Sequence, residues 1–197
     1  ELSVRSGIVP GLWLDAFAGY AVIKSAAFFV PSDYLGEPYD FGNYHVAFQP
    51  DATWMRLGAA LKYAYRQTVD FSVKAVYNRG TFRKGEGNSW LSGAGMSNMK
   101  PYGCPAVEVN ADLTVRPITP LSLTLDYYLD ARRVTLFHGD NIKMSDLHDL
   151  NFTAAYNLND MFGAYLKFTN ILSRGQDLWY GYPMQRFGFM GGININF

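Results

Sequence analysis

Between residues 138 and 149 the chain carries His138, Asp140, Ser145, Asp146, His148 and Asp149. Imidazoles among carboxylates are the donor types of a metal site, and a serine beside them suggests a hydrolytic constellation. Polar residues gathered round a loop are more often simply solvated, so no catalytic residue, metal site or cofactor is expected, and no enzyme. His45 stands alone. The single cysteine, Cys104, sits in a loop-like Tyr102-Gly103-Cys104-Pro105 run and has no second cysteine to pair with. Rings are the better candidates for ligand contact. Tyr34, Tyr39, Trp90, Trp179 and Tyr180 fall in long connections and can stack on sugars, pack against a surface partner, or pack their own loops. A further set, Arg56, Lys62, Lys74, Glu108, Asp112, Arg116, Asp126 and Lys167, recurs on one side of alternating segments. Ion pairs and hydrogen bonds along that side are expected.

The elements that carry these residues have a period of two. Residues 1–8 and 12–23 read as strands joined by a tight turn at Pro10-Gly11; Leu12, Leu14, Ala16, Ala18, Tyr20 and Val22 share one face. A connection over 24–53, with a short extra strand at His45-Val46-Ala47-Phe48, leads to strands at 54–66 and 71–78. A loop over 79–104 precedes strands at 107–116 and 121–130, joined by a turn at 117–120. Strands at 150–156 and 162–169 follow a medium loop, and the connection 170–184 leads to a closing strand over 185–197. That makes nine strands, with short turns and long loops that never exchange sides. The apolar-face positions of these strands carry no charge, and their aromatic residues gather near strand ends. From Phe187 to Phe197 is about 33 Å of strand, or about 24 Å of height at a 45° tilt, which matches an apolar membrane band of ~25 Å.

Composition agrees. The 197 residues are 49% apolar, 16% aromatic and 17% charged, with no net charge. Charge is scarce beside the roughly 25% of soluble domains, and no basic stripe points to nucleic acid. Residues 7–23 superficially suggest a leader or a membrane helix, but Pro10-Gly11 and Asp15 interrupt them. The expected fold is an all-β transmembrane antiparallel β-barrel in the cell outer membrane, in contact with its lipid. A soluble sandwich or lipocalin-like barrel also alternates, and the charge-free face argues against it. Complete bacterial barrels have an even number of strands, so nine strands read as part of a larger barrel. Residues 1–197 are then its C-terminal part, with earlier strands upstream.

The end of the chain, Gly191-Gly192-Ile193-Asn194-Ile195-Asn196-Phe197, resembles the closing strand of a bacterial outer-membrane barrel. Residues 168–192, FTNILSRGQDLWYGYPMQRFGFMGG, resemble the end of TonB-dependent-receptor-like barrels of Bacteroidetes. Ala16 to Ala21 with Phe28-Phe29-Val30 is similar to another segment of those receptors, although Ser173 departs from their pattern after Asn170-Ile171-Leu172. The resemblance implies a barrel of ~22 strands around a plug, importing a large ligand with energy passed on by TonB through upstream segments. Surface lipoproteins or other outer-membrane subunits are the further partners it suggests. Two alternatives remain at this level: a structural barrel subunit of a multi-protein outer-membrane complex, and an outer-membrane enzyme built on the 138–149 loop.

Overall fold

The computed structural model describes residues 1–24, 28–31, 44–48, 51–83, 104–137 and 140–195. Its elements are β1 (Leu2–Val9), β2 (Leu12–Ile23), β3 (Phe28–Pro31), β4 (Tyr44–Phe48), β5 (Ala52–Tyr65), β6 (Val69–Phe82), β7 (Val107–Ile118), β8 (Leu121–Ala131), β9 (Val134–Phe137), β10 (Asp140–Lys143), β11 (Leu147–Asn157), β12 (Phe162–Thr169), β13 (Asp177–Trp179), β14 (Tyr182–Pro183) and β15 (Gly188–Ile195). Nine of them form one sheet in the order β1-β2-β5-β6-β7-β8-β11-β12-β15, each antiparallel to the next in chain order. The expected count of nine stands. The strand around His45 is β4, and it pairs with β3 outside the main sheet.

Register carries the alternation from strand to strand, because residues directly opposite each other share a face. Ala16 faces Ala59, Ala59 faces Ala75, and Ala75 faces Val109. Farther on, Leu125 faces Phe152, and Phe152 faces Phe168. A one-residue slip anywhere would put polar side chains into this row. The apolar face is not buried: Leu2, Tyr20, Leu166, Phe189 and Ile193 are exposed, while Ala52, Val76 and Leu147 are the buried hydrophobic residues among those described. An uncovered apolar face of this extent belongs against lipid.

Short turns close one end of the sheet. Asn159 caps the β11–β12 turn, its Oδ1 accepting from the Met161 and Phe162 amides at 3.0 and 2.9 Å. At the β7–β8 turn the register shifts between Val115 and Ile118, where Pro117 has no amide proton to donate. The long connections leave from the other end. Two contain hairpins that their composition hides: β9–β10 where a medium loop is expected, and β13–β14 within residues 170–184. Strand β6 reaches Phe82 rather than 78, paired with Ala52 at the start of β5. β11 begins at Leu147 rather than 150.

Candidate functional site

The early start of β11 separates two members of the 138–149 cluster. His148 stands opposite Leu129 on the apolar face, and Asp149 opposite Tyr128 on the other. Neighbours along a strand point to opposite sides of the sheet, so these two side chains cannot converge on one ion or substrate. His148 instead shares a 2.9 Å hydrogen bond between its Nδ1 and the Tyr127 hydroxyl. Asp146 Oδ1 accepts from the Arg132 amide at 2.9 Å. No group of three metal-ligating side chains occurs among the described residues. His138 lies outside them.

Among the described residues, the polar face holds fewer ion pairs than its charges suggest. Arg5 pairs with Asp15 at 2.6 Å and Arg116 with Asp70 at 2.5 Å. Asp112 accepts from the Ser72 hydroxyl at 2.9 Å, and Glu108 from Asn78 Nδ2 at 2.6 Å. Arg56 and Lys74, both expected in ion pairs, lie over the Phe17 ring, with Cζ and Nζ at 5.6 and 5.9 Å from its centroid. The ring occupies that place because Gly58, directly opposite Phe17, has no side chain; a Cβ there would fall 2.3 Å from Phe17 Cζ. Tyr165 lies over Gly192 in the same way, 2.5 Å from where a Cβ would stand.

Of the ring candidates, Trp179 and Tyr180 are described; Tyr34, Tyr39 and Trp90 lie outside the described residues. Trp179 ends β13 and Tyr180 begins the turn to β14. Trp179 is 64% and Tyr182 71% exposed, with Leu178 and Tyr180 beside them. Buried polar side chains hold this hairpin. β11 extends beyond the end of β12, and residues 170–176 satisfy the backbone groups left there. Ile171 N donates to Leu150 O at 2.8 Å, and Asn170 N to Asn151 Oδ1 at 3.0 Å. The side-chain amide of Gln176, 4% exposed, replaces a strand: its Oε1 accepts from His148 N and its Nε2 donates to His148 O. Arg133, 9% exposed, donates to the carbonyls of Ser145, Asp177 and Leu178. Nothing in the residue pattern marks Gln176 or Arg133 for these roles, since both act on backbone of distant segments.

Cys104 is half-buried three residues ahead of β7, with Sγ 3.7 Å from Pro105 O and 3.9 Å from Glu108 Oε1. Burial, and then the Glu108 carboxylate, raise its thiol pKa above the ordinary value.

No protein-family model matches the chain, and no curated protein matches it significantly. Solved structures do match in fold. The copper transporter OprC superposes with a TM-score of 0.68 at 13% identity, over 99% of this chain and 30% of that one. Pseudomonas aeruginosa FpvA bound to a heterologous pyoverdine gives 0.64 at 11% identity, over 94% and 24%. The ferripyoverdine receptor of the outer membrane of the same bacterium gives 0.61 at 10%, over 94% and 25%. These neighbours are TonB-dependent outer-membrane receptors. The chain has the fold of an outer-membrane β-barrel wall, and it spans between about a quarter and a third of the length of the structures it matches.

Proposed function

We propose that this chain forms part of the wall of an outer-membrane receptor of TonB-dependent type, which imports a ligand across the outer membrane. The observation that supports this most is the sheet itself: nine consecutive antiparallel strands with an uncovered apolar face, short turns at one end and long connections at the other. In this reading residues 1–197 are the C-terminal part of the barrel, and further strands and a plug complete it upstream. The apolar face meets lipid, the polar face lines the lumen, and the long connections lie outside the cell. The hairpin carrying Trp179 and Tyr180, with Tyr34, Tyr39 and Trp90, contacts the incoming ligand or a surface lipoprotein.

The test is binding of purified full-length protein to the periplasmic domain of TonB. Saturable binding, strengthened by a cognate ligand, is the expected result. Absence of binding, together with stoichiometric co-purification of other outer-membrane subunits, would replace import by a structural role in a larger complex.

A further inference from the structure

The apolar face is free of charge with one exception. Among the described residues of the nine strands, Arg79 is the one Lys, Arg, Asp or Glu on that face: it stands opposite Met55, which in turn stands opposite Tyr20. Tyr77, two residues earlier on β6, is on the same face. Tyr20 is 68% exposed. One step beyond Arg79 on this face the row turns polar, where the Thr53 and Thr81 hydroxyls meet at 2.6 Å. Arg79 makes no salt bridge with any described residue, whereas Arg83, on the loop side, pairs with Asp51.

Its height explains the exception. Val69, at the turn end of β6, and Arg79 are both paired to β5 on the same face. The interval is about 33 Å of strand, or about 24 Å of height at ~45° tilt. That is the thickness of the apolar band, so Arg79 stands at its loop-side limit, level with an aromatic collar. A guanidinium at mid-height is costly; at this limit an arginine stem can lie on the apolar surface that Tyr77 and Met55 share with it while the planar fork reaches headgroup level. The anion that a guanidinium binds best with two parallel hydrogen bonds, and that is present at that level of a bilayer, is phosphate.

We propose that Arg79 is a binding site for the phosphate of a lipid headgroup in the outer leaflet, with Tyr20, Met55 and Tyr77 forming the apolar floor beneath it. The site rests on the barrel reading given above and adds to it a specific lipid contact on the outer surface of the wall. The test is native mass spectrometry of the full-length protein titrated with lipid A and, separately, with enzymatically dephosphorylated lipid A. Arg79→Gln is expected to weaken lipid A binding at least five-fold, with Arg79→Lys intermediate; the dephosphorylated lipid should bind wild type no better than Arg79→Gln binds lipid A. Inorganic phosphate at millimolar concentration should not compete, and full competition would overturn a lipid site in favour of a free-anion site. Equal binding of lipid A by wild type and Arg79→Gln overturns the proposal. Heat-modifiable migration on electrophoresis is read on the same samples. If wild type lacks it, the barrel reading fails; if both proteins show it and bind equally, only the Arg79 site fails.

Discussion

At the scale of single residues, the pairing of Phe17 with Gly58 shows how a wall can seat two cations without carboxylates. Each cation at an exposed ring contributes about 0.5–1 kcal/mol. Gly58→Ala would push the ring aside and is expected to cost about 1 kcal/mol, read from guanidinium unfolding of full-length protein in lipid vesicles. In a Phe17→Ala background the same change should be neutral or stabilising, because glycine is the poorer strand residue once no ring needs the space. Equal costs in both backgrounds would show that the ring is not what Gly58 accommodates. Cys104 gives a second test at this scale. Its raised pKa keeps it a neutral thiol to higher pH, so alkylation by iodoacetamide should reach half-maximal rate at a pH above that of the unfolded chain. Glu108→Gln should lower that midpoint only in part, because burial is the larger cause.

At the scale of elements, the strands of the main sheet were legible because each carries a clean period of two, and β12 matches its expected span, Phe162–Thr169, residue for residue. The ends were less legible. β6 runs on through Arg79, Gly80 and Thr81 because β5 offers it a ladder to pair with, a tertiary effect that overrides weak local propensity. The same effect draws Leu147, His148 and Asp149 into β11 against β8, and so sends His148 and Asp149, neighbours in sequence, to opposite faces. The β13–β14 hairpin was invisible for a related reason: its support comes from Arg133, over forty residues away. Arg133→Ala leaves carbonyls of Ser145, Asp177 and Leu178 without a donor, at a cost of about 1–3 kcal/mol for each that water does not reach. Chymotrypsin is expected to cut wild type slowly at 178–182 and Arg133→Ala at least tenfold faster. An unchanged rate would mean that Arg133 does not hold the hairpin.

At the scale of the whole molecule, the two faces should respond to charge in opposite ways. Ala75 is at mid-height on the apolar face, between Ala59 and Val109; Ser72 is on the polar face, opposite Asp112. Ala75→Arg is expected to cost about 2–4 kcal/mol when the full-length protein is unfolded from lipid vesicles. Ser72→Arg should change stability by less than about 1 kcal/mol, since the new guanidinium meets Asp112. Comparable costs at both positions would contradict a wall with lipid on one side and water on the other.

The two rings that lie over glycines bear on passage as well as stability. A ring that lies along a wall takes up little more than its own thickness, about 3.5–4 Å of contact distance, where one standing upright takes up its full length. At the levels of Gly58 and Gly192 the bore therefore keeps clearance that an upright phenylalanine or tyrosine would remove. Under the import role proposed above, a cargo moving past β5 or β15 would meet those aromatic surfaces side-on, as a bearing and not as a gate.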